Sequence, residues 1–409
     1  MISNPALPAA LPARVGCLSP TVTFYLLASI VLFFLAGSSA PTPLYMVYQA
    51  AWGFSPVTVT VIFGIYALAV LATLLTMGSL SDYIGRRPVL IVATAVQAAT
   101  MLIFATANGV TALLVARVIQ GLSTGAAIGA VGAGMLDLDR AKGTIANAVG
   151  PMAGTATGGL LSGLMVQYLP APTHLVYLVL GAVFVLQSLG AMLMPESVTP
   201  RPGALASLRP RFRLPVAVRG AVLRAIPALV ATWALAGFYG SLGPALVRRI
   251  LGSSSAVVGG LTLFVLAGSG AVTVLLLRHR AARAMMTFGA VALIVGVGLT
   301  LLATARGSAP LFFTGAVLAG AGFGAGFQGA IRTVLPLTAA HERAGVLSIL
   351  YVVSYLGMGL PAVLGGLRVV HGGGLLTTAR EYGAAVMLLA ALALVGTRAR
   401  RDAPATATA

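Results

Sequence analysis

The chain of 409 residues is poor in acid. Seven Asp and Glu stand against 25 Lys and Arg, and charged residues of both signs make up only 8% of the sequence. A soluble domain carries roughly 25% charged residues, so neither a water-soluble enzyme nor a disordered chain fits this composition. Lysine is almost missing, Lys142 being the only one. Cys17 is the sole cysteine, which excludes an intramolecular disulfide and a cysteine-based metal site. The four histidines, at 174, 279, 341 and 371, have no ligand spacing. No phosphate-binding P-loop pattern and no GxGxxG after a strand pattern is present. Nothing therefore indicates ATP hydrolysis, an ATPase subunit or a nucleotide cofactor.

What the chain does have is apolar length. Hydrophobic residues make up 59%, and the mean hydropathy is +1.01. Twelve apolar segments separate at 21–47, 57–80, 88–107, 111–135, 144–167, 174–194, 225–247, 257–277, 284–305, 310–333, 345–369 and 381–397. Each is long enough for a hydrocarbon core of roughly 30 Å. The expected fold is all-α and integral to a membrane, with 12 transmembrane helices in two pseudo-symmetric six-helix bundles. The bundles are expected at 21–194 and 225–397, with tails at 1–20 and 398–409. Between them, 195–224 carries Pro200, Pro202, Pro210, Pro215 and six arginines, and reads as a basic linker. With the N-terminus inside, 19 basic residues fall on cytoplasmic segments, 5 on external ones, and Arg117 lies within a span. The net charge of +18 thus reads as orientation, with both termini cytoplasmic in a plasma (inner) membrane, and not as a nucleic-acid surface.

The two halves repeat. Leu35-Ala36-Gly37 recurs as Leu235-Ala236-Gly237, and Gly53 with Ser55 as Gly252 with Ser254. Gly121 and Gly125 recur as Gly320 and Gly324, and Asp139 to Gly143 loosely as Glu342 to Gly345. A parallel duplication of this kind puts a site between the halves, near the midplane.

The most specific motif is Gly78-Ser79-Leu80-Ser81-Asp82-Tyr83-Ile84-Gly85-Arg86-Arg87-Pro88, between the second and third segments. Gly78 suits close approach of a neighbouring helix, Gly85 a turn with positive φ, and Pro88 a first helical turn. The stretch resembles the signature loop of the major facilitator superfamily. The resemblance implies a secondary transporter working by alternating access. It also implies that Asp82 sits against the N-terminus of helix 11, near Gly345, and that Arg86 pairs with Asp82 or Asp137 in a gating latch. The second-half copy, around Arg278 to Arg283, lacks the Asp and the Gly-Arg-Arg run. Met194-Pro195-Glu196-Ser197 is also similar to a family pattern and offers Glu196 to the latch.

In the fourth segment Arg117, Gln120, Gly121 and Thr124 share one helical face, similar to the family's Arg-x-x-x-Gly pattern. An Arg within a span normally faces the bundle interior, so Arg117 is either a cavity charge for an anion or a cap on neighbouring carbonyls. Gly150, Pro151 and Gly154 loosely resemble the family's antiporter motif, and helix packing accounts for them almost as well. In the first segment Ser38, Thr42, Tyr45 and Gln49 form a polar stripe interrupted by Pro41 and Pro43, which predicts a broken helix beside a cavity. Helices 1, 4, 7 and 10 line the cavity in the family, which raises Tyr45, Gln120, Trp233 and Gln328 as substrate contacts. Asn147 and Tyr239 are further candidates.

These readings predict a non-enzymatic, monomeric carrier that exports a small hydrophobic or amphipathic molecule against protons. The alternative is an uptake carrier or facilitator for a small organic anion bound by Arg117. Every Asp and Glu falls at or beyond a segment end. Proton coupling then rests on Asp82, Glu381 or the substrate itself, or is absent.

Overall fold

Backbone amides in hydrocarbon must find partners within the chain, and the fold meets this with helices. In a computed structural model, residues 16–398 are described, apart from 211, 213, 254, 340 and 341, and no strand occurs among them. Most of both expected tails, Arg211 and Arg213 of the linker, Ser254 of the repeat and His341 lie outside the described residues. In chain order the helices are α1 (Pro20–Ser39), α2 (Pro41–Trp52), α3 (Pro56–Met77), the single turn α4 (Ser81–Ile84), α5 (Arg86–Ala105), α6 (Val110–Leu138), α7 (Arg140–Tyr168) and α8 (Pro172–Leu193). After a turn of helix in the linker, α9 (Ala204–Ser207), come α10 (Val216–Ser241), α11 (Gly243–Leu251), α12 (Ala256–Leu276), α13 (Ala282–Arg306), α14 (Ala309–Val334), α15 (Arg343–Arg368) and α16 (Gly374–Arg398).

Ten helical stretches among the described residues are long and apolar enough to cross a membrane. The expectation was twelve. One of the ten, Gly345–Thr397, contains both α15 and α16. The helix α7 is absent from the ten because Gly, Ala and Thr dilute its hydropathy and Arg140 and Lys142 open it. It is also sandwiched between α1 and α12, so lipid-facing hydrophobicity is not demanded of it. The first and seventh segments are each broken in two, at Ala40 before Pro41 and at Leu242 before Pro244. The helix α10 starts at Val216, within the segment read as the linker.

Two large buried clusters form, one drawn from residues 27–194 and the other from 231–390. The two sets of helices meet mainly through α3 against α15 and α7 against α12. The sequence repeat has a structural counterpart. A Cβ on Gly121 or Gly125 would strike the Tyr66 or Val70 carbonyl of α3, and one on Gly320 or Gly324 the Leu266 or Gly270 carbonyl of α12. Gly53 and Gly252, with φ of +66° and +59°, end α2 and α11 in the same left-handed cap.

Candidate functional site

At one end of the helices the Gly78–Pro88 loop is built as a latch. Gly85 has φ +105°, as its place in the motif predicts. The turn brings Arg86 back over α4, where it is buried and bonds to Asp82, to Ser81 Oγ at 2.7 Å and to Asp137 Oδ2 at 3.3 Å. Both proposed carboxylates are engaged at once. Glu196 completes the site by accepting the backbone N–H groups of Arg86 at 2.9 Å and Arg87 at 3.0 Å. Its carboxylate therefore caps the N-terminus of α5, where the helix dipole favours an anion. The Arg87 side chain donates to the Met192 carbonyl at the end of α8, and Ser197 Oγ lies 3.2 Å from Asp137 Oδ2. Gly78 takes an ordinary helical φ, and its backbone carbonyl and Cα lie against Gly129 of α6. The expected seat of Asp82 on helix 11 is not observed. Among the described residues its hydrogen-bond partner is Arg86, which holds it on its own loop. In the C-terminal helices Arg332 donates to the Arg278 carbonyl at 2.8 Å, a simpler tie without an acid. Asp139, between α6 and α7, caps α7 through the Lys142 N–H at 2.9 Å, and this bond with the Lys142 ammonium holds its carboxyl below the usual range.

About 10 Å along α6 from its other end, Arg117 is completely buried. Its Nη1 donates to the Ser38 carbonyl at 2.8 Å and to Gln120 Oε1 at 2.6 Å, and its Nε donates to Tyr45 Oη at 3.0 Å. A second bond to Tyr45 Oη comes from Nη2. The rings of Tyr66 and Phe104 lie under the guanidinium at 5.2 and 5.8 Å. The reason for this cluster lies in the first span. Pro41 has no N–H to give the Gly37 carbonyl four residues earlier, although the chain stays helical through Ala40 (φ −54°, ψ −39°). Gln120 Nε2 donates to that carbonyl at 3.1 Å. Ser162 of α7 donates to the Ala40 carbonyl at 2.6 Å. Arg117 thus ties Ser38, before the break, to Tyr45, one turn and more beyond it. Tyr45 in turn lines a crevice of about 100 Å³ between α2 and α11, together with Thr42, Gln49, Ser241, Leu242 and Pro244.

Where the N-terminal and C-terminal helices meet, Trp233 of α10 is surrounded by rings. Tyr355 lies 4.9 Å away, Phe327 5.3 Å and Phe323 6.4 Å, centroid to centroid. Trp233 and Tyr355 share a buried cluster with Tyr66 and Leu71 of α3, while Phe323 and Phe327 pack with Met152 of α7. The Trp233 indole nitrogen is buried without a hydrogen-bond partner. Burial of an unpaired N–H costs about 1–3 kcal/mol, so such a group calls for a reason.

Of the other candidates, Gln328 is half-buried beside Phe327. Asn147 is turned to packing, its amide donating to the Gly132 carbonyl of α6 at 3.0 Å. Tyr239 is buried in the C-terminal cluster, 3.1 Å from Thr300 Oγ1 and against Phe312. Neither reaches the rings around Trp233 or the crevice, because α7 and α10 present those side chains to helices of their own set. Gly150 and Gly154, with Pro151 between them, lay α7 against Val31 and Leu32 of α1, so the antiporter-like stretch acts here in packing. Phe323 and Phe327 were not singled out by the sequence reading. Their signal is two large rings, four residues apart, in a stretch, 319–330, that is otherwise Gly and Ala but for Gln328.

The family model of the Major Facilitator Superfamily matches residues 25–360. The chain belongs to that superfamily. It is accordingly a multi-pass membrane transporter and not an enzyme. Solved structures agree in fold. A bacterial homolog of the human lysosomal transporter Spinster, inward-facing and occupied, superposes with a TM-score of 0.75 at 15% identity, covering 98% of this chain and 100% of that one. The nucleoside transporter NupG gives 0.70 at 13% identity, covering 92% and 100%. The human organic anion transporter MFSD10 (TETRAN) gives 0.64 at 17%, covering 94% and 100%.

Proposed function

We propose that this member of the superfamily has twelve spans in two six-helix halves joined by the basic linker, with both termini cytoplasmic in the plasma (inner) membrane. It works as a monomer by alternating access and exports a small amphipathic molecule against protons. The observation that carries this reading is the aromatic box around the unpartnered Trp233 N–H, where α10, α14 and α15 meet α3 and α7. A site between the halves is the one that rocking opens to each side in turn. The latch of Arg86, Asp82, Asp137 and Glu196 is its loop-end lock, breaking and re-forming as the halves rock. In proteoliposomes, an imposed pH gradient should accumulate the substrate on the acidic side, since protons run the other way. Transport that ignores the gradient and follows only the solute's own concentration would overturn the antiport.

A second reading has its own support. Arg117 is a buried cation, and the carboxylates that form ion pairs among the described residues, those of Asp82, Asp137, Asp139 and Glu381, pair elsewhere. Four of its five N–H groups are engaged, leaving one on Nη2. Uptake or facilitated passage of a small organic anion would use that charge, in keeping with the likeness in fold to the organic anion transporter above. The same liposomes distinguish the two, because a facilitator equilibrates the anion without the pH gradient.

A further inference from the structure

The aromatic box holds more information than a location, and the following step rests on reading it as the substrate site. An indole N–H is a donor only, so whatever satisfies Trp233 must bring an acceptor. The surrounding rings of Tyr355, Phe323 and Phe327 are tilted 47–76° to the indole, which offers aromatic faces and edges and no ionised group. Each of these rings lies against the indole, and parting α10 from α14 and α15 would admit a flat ring among them. One residue before Tyr355, the Ser354 hydroxyl is fully buried and likewise has no partner.

The charges around the box point one way. The acids among the described residues are Asp82, Asp137, Asp139, Glu196, Glu342 and Glu381; five lie in a loop or near a helix end, and Glu381, two turns into α16, is exposed and paired with Arg368. The buried charge near the box is positive. Arg117 sits 5.2 Å from the Tyr66 ring centre, and Tyr66 belongs to the same cluster as Trp233 and Tyr355. A cation entering this region would leave water for a place with no carboxylate and a guanidinium one ring away. Aromatic faces attract cations, but that attraction is small beside the cost of burying an unpaired charge. We infer that the box takes a flat aromatic solute that bears a hydrogen-bond acceptor and carries no positive charge, and that it rejects organic cations of the same size.

The chain has two tryptophans, and Trp52 stacks on Tyr48 away from the box. In a Trp52→Phe background Trp233 is therefore the only indole, and its emission reports on the box. The full-length protein would be titrated with benzamide, benzoate and benzylammonium, three ligands of one size and three charges. Benzamide and benzoate should change the emission with dissociation constants at least tenfold below that of benzylammonium. Equal or tighter binding of benzylammonium overturns the charge rule while leaving the box as a site. No response to any of the three overturns the box, whereas the transporter reading is judged separately by solute movement in liposomes. Trp233→Phe keeps a ring and removes the donor. Calorimetry should then show benzamide binding about tenfold more weakly, and unchanged affinity overturns the acceptor requirement. The charge comparison leaves Trp233 intact and so tests the inference whatever that variant does to folding.

Discussion

Replacing Gln120 with Leu tests whether the buried polar cluster exists to serve the break in the first span. The substitution keeps much of the volume and removes both ends of the amide. Gly37 O, orphaned by Pro41, loses its donor at 3.1 Å, and Arg117 Nη1 loses its acceptor at 2.6 Å. Each buried group left unsatisfied costs about 1–3 kcal/mol, the charged one toward the upper end, so Gln120→Leu should destabilise by about 2–6 kcal/mol. That is a large part of the 5–15 kcal/mol that holds a typical protein folded. Pro41→Ala supplies the sharper test. Because Ala40 is already helical, an alanine at 41 would present its own N–H to Gly37 O. In that background Gln120→Leu leaves only the Arg117 donor unserved, and its cost should fall by about 1–3 kcal/mol. The measurement is a double-mutant cycle on denaturation of the detergent-solubilised protein. An identical cost in both backgrounds would show that Gln120 does not serve the carbonyl that Pro41 abandons, and the reasoning would fail.

Two further perturbations address the latch and the contact between the helix sets. Glu196→Gln leaves one oxygen where two now accept the Arg86 and Arg87 N–H groups, and it removes the charge from the α5 N-terminus. Melting should show a loss of about 1–2 kcal/mol, and an unchanged transition would mean that Glu196 is only a solvated helix-end residue. Gly260→Val places a Cβ 2.2 Å from the Gly159 carbonyl, so α12 must move off α7. In a Cys17→Ser background, a cysteine at Ala256 should then react faster with a membrane-impermeant thiol reagent, and an unchanged rate would refute the idea that this contact seals the end away from the latch.

Much of this was legible in the sequence, and what was not has a common physical cause. The latch loop could be read because its parts are local: Gly85 needs its positive φ, and Asp82 and Arg86 are four residues apart across that turn. The break in the first span was legible too, since Pro41 and Pro43 remove N–H groups whatever surrounds them. The residues that answer the break were placed on one face of α6 by spacing, but spacing does not say which helix that face meets. Only tertiary packing turns Arg117 and Gln120 toward Ser38, Gly37 and Tyr45, and the same uncertainty of facing let Asn147 and Tyr239 stand as candidates. Glu196 enters the latch in sequence only through its resemblance to a family pattern; it is 110 residues from the Arg86 N–H it accepts, and spacing alone does not reveal a cap across that separation.

The scarcity of acid acquires a structural meaning once the pairs are located. Asp82, Asp137 and Glu196 are gathered around one loop from three segments of the chain, where the proposed cycle would have Arg86 and Arg87 hold or release them in contact with water. Opening such a lock exchanges protein partners for solvent at modest cost. An acid at mid-depth would have to be paired or protonated at every stage of the cycle. Confining carboxylates to the ends lets the interior be built from rings, small residues and one guanidinium whose donors are largely engaged in holding a broken helix. Such an interior can part and close on an uncharged or anionic solute without exposing an unpaired negative charge. It also offers no buried carboxylate to carry a proton, so a proton coupled to this carrier would cross on the solute or act at the latch or at the exposed Glu381–Arg368 pair.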